Sequence, residues 1–122
     1  MSSEPYELIE LDTFKKNIKK YFKRDEAKIR EKLKQKLETT PDRYQMLEGH
    51  ITVAGVKLTG LHHVKVGVKG HRGGSVTRFR ICEECLREEY YEKSRVRCQF
   101  CDESKPERVV LFDIRPRGFG YR

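Results

Sequence analysis

The segment CEECLREEYYEKSRVRCQFC, from Cys82 to Cys101, holds all four cysteines of the chain in a C-x2-C-x12-C-x2-C pattern. Few folds tolerate that pattern without using it. Each CxxC lets a dithiolate turn bite one ion, and the residues between the pairs form a loop that brings them together. Four thiolates at this spacing satisfy tetrahedral Zn2+ and leave no position open, so the expected site is structural. One zinc ion held by Cys82, Cys85, Cys98 and Cys101 is the first expectation. Two disulfides are the competing use of the same residues. A reducing compartment disfavours them, hyperthermophile cytosol being the exception, and a Lys/Glu-rich chain without Trp leans weakly that way. Thioredoxin-like redox chemistry needs one CxxC at a helix start after a strand, not two facing pairs.

A metal clip also suits the size of the chain. At 122 residues, with 36% hydrophobic and 38% charged residues, it forms one domain with a lean core. No apolar run approaches the roughly 18 residues of a membrane span. The opening MSSEPYELIELD places acids where a signal peptide carries its apolar region. The expectation is a soluble, cytoplasmic protein that does not engage a membrane.

The net charge of +8 is unevenly distributed. Residues 1–48 hold 12 Lys/Arg against 10 Asp/Glu, and residues 83–122 hold 9 of each. Between them, residues 49–82 carry Lys57, Lys65, Lys69, Arg72, Arg78 and Arg80, all four histidines, and no acid. A solvated face usually mixes both signs, so this run points to a polyanionic partner, with nucleic acid the default.

Hydropathy periods organise the rest. YELIEL (Tyr6 to Leu11) alternates as a strand. Asp12 stands where a helix N-cap would, ahead of Phe14, Ile18, Tyr21 and Phe22 on one helical face, with Lys15, Lys16, Lys19, Lys20 and Lys23 largely on the other. A second helix begins near Asp25, repeats Ile29, Leu33 and Leu37, and ends at Thr39-Thr40-Pro41. The short link between them predicts an antiparallel helical hairpin. Beyond Pro41 the period becomes that of strands. Val53, Val56 and Leu58 lie in a β-prone, Gly-broken segment, and HHVKVGV (His62 to Val68) alternates. GHRGG (Gly70 to Gly74) reads as a hairpin turn, followed by the strands SVTRFRI (Ser75 to Ile81) and VVLFDI (Val109 to Ile114). The expected class is α+β: an N-terminal strand, a two-helix antiparallel hairpin and an antiparallel sheet. The cysteine unit, over 82–104, is a zinc-ribbon-like hairpin inserted between the last two strands of a single domain spanning 1–122. An insertion at a hairpin tip leaves the sheet beneath it intact.

This order of elements resembles the RelE/ParE toxin superfamily. The residues that carry the resemblance are YELIELDTFKKNIKKYF, then KLTG-LHHVKV (Lys57 to Val66), TRFRI (Thr77 to Ile81) and VVLFDIRPRGFGY. They correspond to a Lys-Leu-x-Gly turn, an arginine in the third strand and a basic Arg-x-x-x-Tyr tail. Glu48–Val56 and the cysteine unit lie outside it. The RelE branch cleaves mRNA on the ribosome without a metal, whereas the ParE branch acts on DNA gyrase. Metal-free RNA cleavage needs a group to take the 2′ proton, cations for the pentavalent phosphate and a donor for the leaving 5′ oxygen. The resemblance implies His63, Lys65, Arg78, Arg117 and Tyr121 as catalytic residues, with Lys57, Lys69, Arg72, Arg80 and Arg115 around them on the RNA. It also implies RNA or the ribosome as partner, and an antitoxin whose helix covers the basic sheet face.

This chain departs from the pattern at four places. Pro116 precedes the tail arginine, His63 replaces a lysine, VGVKGHRGG is longer than the usual turn, and the cysteine unit is additional. Two further classes therefore stand beside the endoribonuclease: a non-catalytic zinc-containing nucleic-acid-binding protein, and a ParE-like inhibitor of a protein target. In the cysteine loop Glu83, Glu84, Glu88, Glu89 and Glu92 oppose Arg87, Lys93, Arg95 and Arg97. Its acidic first half would repel phosphate, so the basic strands are the expected contact.

Overall fold

The computed structural model describes residues 6–44, 46, 51–53, 56–58, 60–88 and 107–116. The fold is α+β. Strand β1 (Glu7–Glu10) leads into helix α1 (Asp12–Phe22), a three-ten turn at Lys23–Asp25 and helix α2 (Glu26–Leu37). A short hairpin of β2 (Ile51–Val53) and β3 (Val56–Leu58) forms its own two-stranded sheet. Strands β4 (His62–Val68) and β5 (His71–Ile81), helix α3 (Cys82–Glu88) and strand β6 (Arg108–Pro116) complete the described chain.

The main sheet has the order β1-β6-β5-β4. Strands β4, β5 and β6 are antiparallel, but β1 joins β6 in parallel, so the sheet is mixed, not antiparallel as expected. The physical reason lies in the connection. The helices between β1 and the rest supply the long crossover that a parallel neighbour requires. As expected, the strands flanking the cysteine unit pair directly, Ile81 opposite Val109.

The helices form where the apolar period is 3.6, and that period selects what they bury. Phe14, Ile18 and Phe22 of α1, with Ile29, Leu33 and Leu37 of α2, pack on Val64, Val66, Phe79, Ile81, Val109, Leu111 and Ile114 of the sheet. Tyr21 packs only at the margin of this core. Each such side chain contributes about 1.5–3 kcal/mol when fully buried. α1 lies over β6. α2 meets β1 through Arg30, whose Nε and Nη2 donate to the two Glu10 oxygens (2.8 and 3.0 Å). Asp12 is not the N-cap. Leu11 holds that position, and Asp12 occupies the first turn, where its charge favours the helix dipole.

The turn into β5 is tighter than GHRGG suggested. Val68 pairs with His71, leaving Lys69 and Gly70 as the turn, and the later glycines belong to the strand. Gly70 has φ +86° and Gly74 φ +72°, both left-handed values. A Cβ on Gly74 would stand 2.4 Å from the Val66 carbonyl oxygen, so the strand can run here only without a side chain. In β6 a bulge opposite Arg78–Phe79 leaves Phe112 unpaired. Leu111 and Ile114 thereby both join the helix-covered core, while Asp113 pairs with Arg78 away from it.

Candidate nucleic-acid interface

One face of the sheet is covered by α1 and α2, and the other carries the charge. Strand alternation sends His63 and Lys65 of β4 to that second face, with Val76, Arg78 and Arg80 of β5. Register then gathers them in rows. His63 lies opposite Arg78, and Arg78 opposite Asp113. Lys65 lies opposite Val76, and Val76 opposite Arg115. Directly opposed residues on one face stand about 4.5–5.5 Å apart at Cβ, so these rows form a compact group. Three of the five expected catalytic residues, His63, Lys65 and Arg78, are therefore neighbours. Arg117 and Tyr121 lie outside the described residues.

The individual environments differ. Lys65 is exposed. His63 is half-buried, and that burial, then the positive charges of Lys65 and His62, push its imidazole below the usual 6.5. It is thus held in the neutral form that can accept a proton near pH 7. Arg78 is committed in part: Nε donates to Asp113 Oδ1 at 2.8 Å and Nη2 donates to Oδ2, a bidentate fork. The Asp113 side chain is 0% exposed, and Arg115 Nε approaches its Oδ2 at 3.4 Å. A buried carboxylate thus fixes two guanidinium groups on the sheet.

Asp113 is the functional candidate that the sequence reading missed. Inside VVLFDI it looks like an interruption of an apolar strand. The available signal was that a single acid in such a strand must find a cation, and the acid-free run opposite supplies one.

The other expected RNA contacts do not all gather here. Lys69 lines a small pocket with Asp25, Lys28, Ile29, Lys32, Gly67 and Val68, beside the start of α2. Arg80 requires correction. It is 1% exposed, lies 5.4 Å from the Phe112 ring centre, and turns Nη1 toward Cys85 Sγ at 4.0 Å. In that position it is an interior cation and not a surface contact. Lys57 falls on β3 and Arg72 on β5, but their side chains lie outside the description.

The cysteine unit begins differently from a ribbon. Cys82–Glu88 is helical, because CEECLRE combines good helix formers with acids in the first turn. Cys82 and Cys85 are both buried, and their i, i+3 spacing places them on one side of α3. A buried thiol pair beside a guanidinium suits an anionic metal–thiolate centre. Cys98 and Cys101, like most of 82–104, lie outside the described residues. Among the described residues no three His, Cys, Asp or Glu side chains form a metal-holding group, and no helix is long and apolar enough to cross a membrane. No family model, no curated protein and no solved structure matches the chain.

Proposed function

We propose that this protein binds RNA on the second face of its sheet and cleaves it by metal-independent attack of a 2′-hydroxyl, as a RelE-like toxin would. The observation that supports this reading is the grouping of a neutral histidine, an exposed lysine and two arginines on three adjacent strands. His63 takes the 2′ proton as the 2′ oxygen bonds to phosphorus. Lys65, with the donors of Arg78 and Arg115 that face the substrate, offsets the added phosphate charge. The bond to the 5′ oxygen breaks, and that oxygen takes a proton from a general acid, for which Tyr121 is the candidate. The products are a 2′,3′-cyclic phosphate and a 5′-hydroxyl. Cys82, Cys85, Cys98 and Cys101 hold one zinc ion that stabilises the fold and takes no part in the reaction.

The test is expression of the parent and of Lys65→Ala in growing cells, with message ends mapped on translating ribosomes. Cleaved messages and growth arrest with the parent, both reduced on the order of a hundredfold in the variant, are expected. A second reading, non-catalytic RNA binding, is favoured by one observation: the Arg78 fork is already occupied by Asp113. Intact messages together with salt-sensitive RNA binding would select it. Growth arrest with intact messages and no RNA binding would select a protein target.

A further inference from the structure

We propose that His62, which is not a metal ligand, seats the cysteine helix for metal binding through a latch to Glu84; the inference rests on the reading that the four cysteines hold zinc. Helix α3 has 7 residues, too few to be stable or oriented by itself, so its position must come from tertiary contacts. His62 supplies one from β4. Its ring is 3% exposed and stacks on Phe79, with centroids 5.4 Å apart and planes 18° apart. Its Nδ1 lies 2.8 Å from the Tyr44 carbonyl oxygen. A carbonyl only accepts, so Nδ1 is the donor there and the ring orientation is set. The remaining nitrogen, Nε2, meets Glu84 Oε1 at 2.8 Å; a carboxylate oxygen also only accepts, so Nε2 donates there and the ring carries a proton on both nitrogens in the latch.

The ring is thus fixed by a stack and a backbone hydrogen bond before Glu84 is considered. Glu84 follows His62, and not the reverse. Glu84 also lies between Cys82 and Cys85 in the opening turn of α3. Fixing it fixes the rotation of that turn about its axis, and with it the direction of both thiols. A ligand pair held in place before the ion arrives loses less freedom on binding, which appears as affinity. Groups outside the ligand set commonly contribute about 10–100-fold in this way. Glu83, next to Glu84 in the same turn, is exposed and provides an internal control of equal charge.

The experiment measures zinc affinity of the full chain by competition with a chromophoric chelator, and Co2+ spectra to report the ligand set. Glu84→Ala is expected to weaken zinc about 10–100-fold with an unchanged Co2+ spectrum. Glu83→Ala should leave affinity at the parent value, and Glu84→Gln, which retains a hydrogen-bonding group, should restore most of the loss. Adding His62→Gln to Glu84→Ala should cost little more, because both remove one contact. Should His62→Gln fail to fold, the three glutamate variants decide the matter. Equal affinity in Glu84→Ala and the parent, or equal losses from Glu83→Ala and Glu84→Ala, would overturn the latch while leaving the zinc site standing. A parent that binds no zinc would overturn the metal reading and the latch with it.

Discussion

The two faces of the main sheet are built by different rules. The helix-covered face is mainly apolar, with Ser75, Thr77 and His62 buried among its strand positions, and its members Phe14, Ile18, Leu33, Phe79 and Leu111 are alike in kind, each stabilising by removing area from water. The second face buries Val76, Val110 and Phe112 together with Arg80 and Asp113, and keeps His63, Arg78 and Arg115 half-covered. Its charges are not interchangeable, because each one inside must meet an opposite charge or a hydrogen-bonding partner. The first face holds the domain together. The second uses part of its stability to hold cations in a fixed arrangement, as a binding surface requires.

The largest effect that would separate the faces is a cavity in the first. Phe14→Ala should cost about 3–5 kcal/mol in chemical denaturation, a large share of the stability of a domain this small. Next comes Asp113→Ala, which leaves Arg78 and Arg115 without their buried carboxylate and should cost about 3 kcal/mol. The comparison sharpens with Asp113→Leu combined with Arg78→Met. Replacing a buried pair by apolar groups is far cheaper than breaking it, so the double variant should recover most of the loss while losing RNA binding. Recovery of both would mean that the charged face is structural only.

The third expectation is smaller. Arg30 bridges Glu10 and Glu26 on the helix side, but these side chains are 22–35% exposed. Arg30→Ala should cost no more than about 1 kcal/mol in spite of its good geometry. The smallest effect concerns pH. The folded state holds the His63 imidazole below 6.5. As pH falls through that range the unfolded chain takes the proton first, so His63 should make the protein slightly less stable toward acid. His63→Gln should remove that part of the slope, and in a cleavage assay the acid limb of the parent should lie below pH 6.5.

These contrasts also mark what could be read from the residues alone. The first face was legible because period and burial are the same statement: Phe14, Ile18 and Phe22 name their own helix face, and Val64 and Val66 their strand face. The strand pairing across the cysteine unit was legible because Ile81 and Val109 bound it so closely. The parallel placement of β1 was not, since Tyr6 to Leu11 carries no sign of which edge it joins. Arg80 misled because alternation assigns a side of the sheet and says nothing about what covers that side. Asp113 was hidden for a similar reason, since its meaning depends on a cross-strand register set by a bulge at Phe112. The helical start of the cysteine unit was masked by its metal-ligand spacing, which drew the reading toward a ribbon.

The measurement that bears most directly on the second face as the RNA surface is the salt dependence of binding to a labelled single-stranded RNA. Lys65 and Arg115 stand in one row of that face, and Lys16 and Lys20 line an exposed patch on α1. Each phosphate contact adds about 0.7 to the slope of log affinity against log salt for a single strand. Lys65→Ala with Arg115→Ala should therefore weaken binding and flatten the slope by about 1.4, while Lys16→Ala with Lys20→Ala should leave the slope as in the parent. Equal flattening by both pairs, or flattening by the α1 pair alone, would contradict the account.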